Sequence, residues 1–160
     1  MEIELSSFTQ NDISQEYLSW LSDELLMRYS QQSKIKHSRA TAISYLAELK
    51  LGGGELLKII QNSTQMMIGT ISLRKSSEKI IDIGMLIGAD GFRNKGYGSI
   101  AWGLGMSYAW NHFSIEKITA GTNRNNEAML RIMQKHEMSF EETRIEEGEI
   151  IFKYSSRRPR

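Results

Sequence analysis

Residues 80–98 read IIDIGMLIGADGFRNKGYG, and this stretch decides the fold. Its first half, Ile80–Gly88, is nearly continuously apolar and rich in isoleucine, which predicts a buried central strand. Its second half carries the pattern R-x-x-G-x-G from Arg93 to Gly98, and the apolar stretch Ser99–Phe113 follows as a predicted helix. Glycines let the backbone approach a bulky anion, and a helix N-terminus favours negative charge. The pattern therefore predicts an anion-binding loop; a plain turn whose glycines serve tight packing is the alternative.

A dinucleotide site is a sharper competitor, because Gly96–Ala101 satisfies G-x-G-x-x-A. That fold needs an acidic residue about 20 positions further on, at the end of the next strand. Glu116 has this spacing but precedes the predicted strand Lys117–Gly121, where its side chain cannot reach a ribose. Three strands that we predict to be antiparallel also come before the loop. We therefore reject the dinucleotide interpretation.

The rest of the chain predicts one domain, residues 1–155, with a short basic tail, residues 156–160, and we expect Ser155–Arg160 to be frayed. Asp12, Ser38 and Asn126 are predicted helix N-caps, and Gly52–Gly54 ends the second helix. The predicted strands besides 80–88 are Ile3–Ser7, Glu55–Gln61, Met66–Arg74, Lys117–Gly121, Phe140–Ile145 and Ile150–Tyr154. This order implies a mixed sheet flanked by helices, an α/β (α+β) fold.

The composition excludes several classes of protein. The net charge of the 160 residues is +1, so no charge excess favours nucleic acid or an anionic membrane as a partner. No apolar run approaches the roughly 18 residues that a membrane span needs. The chain has no cysteine, and His37, His112 and His136 lack ligand spacing, so we expect no metal. Because the N-terminus lacks the regions of a signal peptide, we expect a cytoplasmic protein.

A second motif follows the loop at a fixed distance: residues 126–138 read NEAMLRIMQKHEM. Together the two motifs resemble the GNAT N-acetyltransferase superfamily. Its central pattern is Q/R-x-x-G-x-G/A, and its next helix carries N-x-x-A/S-x-x-x-(Y/L)-x-K-x-G-F. The match includes Asn126 and Lys135. The sequence departs at Met133, where many relatives have a tyrosine that acts as general acid, and at His136-Glu137-Met138, where many have x-G-F.

The resemblance implies acetyl-CoA as co-substrate and a sheet of about seven strands, mostly antiparallel, splayed between strands 4 and 5 and flanked by about four helices. It implies that the pantetheine arm lies along Met85, Leu86 and Ile87, with the Leu86 amide as the catalytic donor to the thioester carbonyl. Asn126 and Met129 would contact the same arm, although Asn126 is equally a helix cap. The pyrophosphate would lie on a loop formed by Arg93, Asn94, Lys95, Gly96, Tyr97, Gly98 and Ser99, with Arg93 and Lys95 as mobile cations.

The resemblance also implies a mechanism, which is direct attack by a neutral amine. Many relatives place a glutamate base fourteen residues before the first motif glycine, and Asp82 holds that position here. The alternative for Asp82 is a solvated residue at the start of the strand. With Met133 in place of the tyrosine, a non-catalytic acyl-CoA-binding module remains a second hypothesis.

The acceptor is predicted from the first helical region. Residues 17–30 resemble the pattern Y-x-x-W-L-N-D…R-Y of acetyltransferases from bacterial cell-surface sugar pathways, which are related to ribosomal-protein N-terminal acetyltransferases. The resemblance implies a small-molecule amine, a nucleotide-linked amino sugar, held by Arg28 and Tyr29, for which a surface role is the alternative. Trp20 and Leu21 are more readily core residues. A protein amine is the alternative. The oligomeric state stays open, a homodimer included.

Overall fold

The computed structural model describes residues 2–30, 33 and 35–159. Seven strands form one sheet in the order β1-β2-β3-β4-β5-β7-β6, and only β4 and β5 run parallel. The strands are β1 Ile3–Ser7, β2 Glu55–Gln61, β3 Met66–Ser77, β4 Ile80–Ile87, β5 Lys117–Asn123, β6 Ser139–Glu146 and β7 Glu149–Arg157. The α-helices are α1 Gln15–Leu21, α2 Arg39–Leu51, α3 Tyr97–His112 and α4 Glu127–Lys135. This architecture confirms the predicted fold.

The sheet opens between β4 and β5. Only Ile80–Asp82 of β4 pairs with β5, and Asp82 faces Thr119 at the last pair. Beyond it β4 stays paired with β3 as far as Ile87, and β5 stays paired with β7 as far as Asn123. The two strands therefore diverge, and each keeps an inner edge without a strand partner. The predicted splay is confirmed.

The hydrogen-bond register between β3 and β4 decides which backbone amides of β4 face the splay. The Gly88 amide donates to the carbonyl of Ile68 on β3, and the Lys117 amide at the start of β5 donates to the carbonyl of Lys79. Because hydrogen bonds on one side of a strand recur at every second residue, Ile83, Met85 and Ile87 present their backbone groups to the splay. The backbone groups of Leu86 face β3 instead. A Cβ placed on Gly69 of β3 would lie 2.0 Å from the Leu86 carbonyl oxygen, which also places that group on the β3 side.

The core lies between the sheet and the helices. Five strand residues at its centre are fully buried: Leu57, Ile59, Ile71, Leu73 and Ile81. Helix α3 packs on this apolar surface because Gly105 has no side chain; a Cβ there would lie 3.1 Å from side-chain atoms of Ile71 and Ile83. The close approach fixes the direction in which α3 leaves the loop after β4.

Two helix starts differ from the prediction. Ser14 caps α1, since its side chain accepts from the Tyr17 amide at 3.0 Å, whereas Asp12 lies in a preceding 3-10 turn and accepts from the Thr9 amide. Asp12 is held there by Lys58, whose ammonium lies 3.1 Å from its carboxylate. Helix α3 begins at Tyr97, earlier than predicted, with Gly96 as its N-cap. The predicted cap Ser38 is confirmed by its bond with the Thr41 amide.

The prediction of a frayed tail is wrong for its first part. Residues 155–157 belong to β7 and pair with β5 as far as Lys117 opposite Arg157. The Arg158 guanidinium then donates to the carbonyls of Ile115 and Phe113 at 2.7 and 3.0 Å. Pairing with the base of β5 therefore orders these residues, because it satisfies their backbone groups.

Gly88, where β4 ends, carries a stability prediction. A Cβ there would lie 2.1 Å from the ring of Trp20, which is buried. We expect Gly88→Ala to lower the free energy of unfolding by about 1–3 kcal/mol through overpacking. This lowers Tm by roughly 2–12 °C for a domain of this size. Gly52→Ala, where a Cβ meets only contacts of 3.4 Å and longer, is the control that should leave Tm nearly unchanged in the same calorimetric scan. An equal Tm for both variants would contradict the packing account.

Candidate functional site

The loop between β4 and α3 takes three left-handed backbone conformations, at Gly91 with φ 85°, at Asn94 with φ 61° and at Gly96 with φ 91°. Gly96 is the residue immediately before the first turn of α3. The start of α3 therefore presents unpaired amides and the positive end of the helix dipole, next to a backbone with no Cβ in the way. Lys95 between them is exposed. A helix N-terminus of this geometry suits an anion, and the binding of a pyrophosphate by residues 93–98 stays a prediction.

Arg93 forms contacts within the loop that the sequence did not predict. Its guanidinium folds back to donate to the Gly88 carbonyl at 3.0 Å and to the Asp90 carboxylate at 3.0 Å. The carbonyls at the end of β4 have left the ladder and need donors, and Arg93 supplies them. The prediction of a mobile cation is therefore wrong for this side chain, which holds the loop against the end of β4.

The first turn of α3 is fixed on three sides. The Tyr97 hydroxyl accepts from Gln61 at 3.2 Å, so this residue faces β2 with its side chain. Gly98 lets β4 approach, since a Cβ there would lie 3.2 Å from the Met85 side chain. His136 Nε2 lies 2.7 Å from the Ser99 carbonyl oxygen, and the nitrogen donates, which ties the end of α4 to the turn. The amides that face an anion are thus held in place before any ligand binds.

A cavity of about 760 Å³ opens at the splay. Among the predicted contacts of the pantetheine arm, Met85, Leu86, Asn126 and Met129 line it, and Ile87 continues the same edge towards the loop. The opposite walls come from β5, from β7 and from the region of α1 and α2. We call this space the main cavity.

Asn126 stands at the mouth of the splay and caps α4. Its carbonyl oxygen accepts from the Met129 amide at 3.3 Å, and its amide nitrogen donates to Thr122 at 3.1 Å. The cap role is confirmed. One N–H of the side-chain amide remains for a ligand in the main cavity, because the group carries two donors.

Asp82 lies on the last paired rung, at the closed end of the splay. Its carboxylate accepts from the Thr119 hydroxyl at 2.7 Å and lies 3.7 Å from the Lys153 ammonium. Its side chain is 35 % exposed and lines the main cavity. The alternative of a freely solvated residue is therefore wrong: Asp82 is a partnered carboxylate that still reaches the cavity.

Lys153 was not identified from the sequence as a residue of the site. It lies on β7 opposite Gly121 of β5, and a Cβ on Gly121 would lie 2.8 Å from its Cδ. The lysine thus crosses β5 over a glycine to meet Asp82 on β4. The glycine that ends the predicted strand Lys117–Gly121 was the available signal, because a glycine in a strand often marks a close approach of another group.

Of the two predicted acceptor residues, only one lines the main cavity. Tyr29 lines the main cavity, whereas Arg28 is exposed and outside its lining. The Arg28 guanidinium donates to the Leu25 carbonyl and lies 4.8 Å from the centroid of the Tyr29 ring, so it braces the tyrosine. Trp20 is buried as predicted, and Leu21 lines the cavity.

Other hydroxyls and side chains bear on proton transfer. Burial, with a smaller contribution from Tyr45, raises the pKa of Tyr17 to about 12, so this hydroxyl on the cavity wall stays neutral at physiological pH. Met133 is fully buried and does not line the cavity. In this chain, position 133 therefore belongs to the core.

In residues 2–30, 33 and 35–159, no group of three or more His, Asp or Glu side chains is arranged to hold a metal ion. Within the same ranges, no helix has the length and apolarity needed to cross a bilayer.

Known proteins share this sequence pattern and this fold. A family model described as "Acetyltransferase (GNAT) domain" matches residues 2–139. The spermidine N-acetyltransferase from Vibrio cholerae, solved with CoA and spermine, has a TM-score of 0.84 at 11% identity, over 97% of this chain and 95% of that one. The ribosomal L7/L12 alpha-N-protein acetyltransferase RimL, solved with coenzyme A, gives 0.82 at 14%, over 97% and 93%. An aminoglycoside acetyltransferase solved with coenzyme A and kanamycin gives 0.82 at 13%, over 98% and 95%.

Proposed function

Because the chain belongs to the GNAT acetyltransferase family, we propose that it transfers an acetyl group from acetyl-CoA directly to a primary amine, and that the acceptor is a nucleotide-linked amino sugar. One observation carries the proposal. An unpaired strand edge runs from an anion-binding helix N-terminus to a carboxylate that lines the main cavity. These are the parts that hold an extended thioester and deprotonate an amine beside it.

The donor lies along β4. Its pyrophosphate meets the amides at the start of α3, and Lys95 adds a cation. From Ile87 to Asp82 the strand spans about 17 Å, which suits an extended pantetheine arm running down the open edge. The amides that face this edge belong to Ile83, Met85 and Ile87. The Leu86 amide, which the sequence analysis named as the donor to the thioester carbonyl, faces β3. We therefore assign this hydrogen bond to the Met85 amide instead.

The acceptor amine approaches from the main cavity, on the side of the sheet where Asp82 lines that cavity. It must attack as the neutral amine, so a base removes one proton, and Asp82 does this directly or through one water. The nitrogen bonds to the acetyl carbon and passes its extra proton, directly or through water, to the departing sulfur. The carbon–sulfur bond breaks, and CoA leaves as the thiol. With no cysteine in the chain, no acetyl-thioester intermediate forms on the protein.

Tyr29 holds the planar or sugar part of the acceptor, and Arg28 acts through it. Removing the cation from the ring frees the tyrosine to rotate, so we expect Arg28→Ala to raise the acceptor KM by about 2–5-fold. The KM for acetyl-CoA, measured on the same preparation, should not change. Equal increases in both constants would contradict an acceptor role.

A competition assay tests the proposed function. Acetyl-CoA is offered with amino-sugar nucleotides, with short peptides bearing free N-termini, and with polyamines, and released CoA is measured with the acetylated product. We expect amino-sugar nucleotides to be preferred. A preference for peptides would move the acceptor to the protein-modifying branch. Slow release of CoA that no amine accelerates would instead indicate a non-catalytic acyl-CoA-binding module.

A further inference from the structure

The wall of the main cavity carries an arginine whose charge is not neutralised. Arg74 lies on β3, lines the cavity and is exposed. Within the described ranges it forms no ion pair. Its cross-strand neighbour is Asp82, but that carboxylate is bonded to Thr119 and lies beside Lys153 on the far side. The guanidinium is therefore a permanent positive charge that faces open space.

An aromatic ring holds this guanidinium without using its hydrogen-bond donors. The guanidinium carbon of Arg74 lies 5.9 Å from the centroid of the Tyr45 ring, and Tyr45 also lines the cavity. A cation over a ring face loses mobility, yet its N–H edge stays free. Such an edge matches a phosphate or carboxylate through two parallel hydrogen bonds.

The other unpaired charges on the wall are acidic. Glu48 and Glu146 line the cavity, and neither forms an ion pair with a described residue. These carboxylates attract the ammonium groups of an acceptor, whereas the Arg74 guanidinium repels ammonium groups. A wall with both signs is complementary to a molecule that carries both an amine and an anion.

We propose that Arg74 binds an anionic group of the acceptor, a phosphate ester or a carboxylate, and so selects amines that also carry a negative charge. The proposal rests on the proposed function and names its substrate class. Arg74 and Asp82 are directly paired across the β3–β4 ladder, so their side chains leave the same face about 5 Å apart at the backbone. The anion therefore sits within one sugar unit of the amine that Asp82 deprotonates.

Kinetics with paired acceptors test this assignment. The probes are glucosamine, glucosamine 6-phosphate, 4-aminobutyrate and spermine, each assayed with wild type, Arg74→Met and Arg74→Lys. For wild type we expect kcat/KM to be at least about 10-fold higher with glucosamine 6-phosphate than with glucosamine. Arg74→Met should lower the value for the phosphate by about 10–100-fold and that for glucosamine by less than about 2-fold. Arg74→Lys should fall between, since it keeps the charge and loses the fork.

Two comparisons complete the experiment. Arg131→Met removes an exposed arginine on α4 outside the cavity and should leave all values unchanged. If Arg74 raises kcat/KM for 4-aminobutyrate and not for glucosamine 6-phosphate, the site binds carboxylates, which supports the proposal in that form. Equal losses for charged and uncharged acceptors in Arg74→Met, or a preference of wild type for spermine, would overturn it.

Binding separates this proposal from the proposed function. If wild type turns over no amine, calorimetry with glucosamine 6-phosphate still reports on Arg74. Binding that Arg74→Met abolishes would support the anion site while the transferase proposal fails. Absence of binding to wild type, with acetyl-CoA bound, would overturn the anion site.

Discussion

Replacing Gly96 by valine is expected to abolish acetyl-CoA binding. Gly96 has φ 91° and is the N-cap of α3. A β-branched residue rarely takes this conformation, at a cost of about 1–3 kcal/mol, and its side chain would stand where the pyrophosphate approaches the backbone. We expect Kd to rise by at least about 100-fold by calorimetry, because both strain and steric exclusion act on the same contact.

A matched variant separates binding from strain. Gly148 in the turn between β6 and β7 also has a positive φ, 80°, and open space around it. Gly148→Val should therefore cost similar backbone strain and leave the affinity for acetyl-CoA unchanged. If Gly96→Val keeps wild-type affinity, the pyrophosphate does not lie on residues 93–98. If Gly148→Val loses affinity as well, the loss reflects strain and not the site.

Replacing Asp82 by asparagine is expected to lower kcat by about 10²–10⁴-fold, the range for loss of a general base. Asparagine keeps the size of the side chain, and its carbonyl oxygen can still accept from Thr119. The fold and the affinity for acetyl-CoA should therefore survive while the proton acceptor is lost. Steady-state kinetics over a range of pH, with calorimetry of acetyl-CoA binding, measure both parts.

The control is another conservative change on the same pair of strands. Glu78→Gln alters an exposed carboxylate in the turn between β3 and β4, which pairs with Lys75, and should leave kcat unchanged. If Asp82→Asn has the wild-type rate at every pH, the amine loses its proton to solvent. Asp82 then serves only to close the splay with Thr119 and Lys153.

Short-range patterns predicted much of this molecule. The strand Ile80–Gly88, the glycine loop and the cap at Asn126 each follow from residues within a few positions of one another, where backbone chemistry dominates. The order of these elements then indicated a mixed sheet, and the family resemblance implied its splay. What the sequence did not provide is the partnership between Lys153 and Asp82. It joins β7 to β4 across β5, so no local spacing records it.

Ladder parity is a second limit. The family resemblance implied that the pantetheine arm lies along residues 85–87, but which of these amides points into the splay depends on the β3–β4 register. A shift of one residue exchanges the two sets, and periodicity alone does not determine it. Leu86 was chosen from the sequence, and the register favours Met85. Arg93 shows the same limit for a side chain. Its guanidinium donates to the Gly88 carbonyl, which is available as an acceptor because β4 ends there, and sequence spacing does not record this.

The central claim is that the acetyl group passes from acetyl-CoA to an amine within the splay, without residing on the protein. Acetyl-CoA carrying an isotopic label in its acetyl carbons tests this most directly, with an amino-sugar nucleotide as acceptor and mass spectrometry of all species. We predict labelled amide product, one CoA released for each amide formed, and no label on the protein. Label on the protein, or CoA release with no labelled amide from any amine offered, would contradict the account.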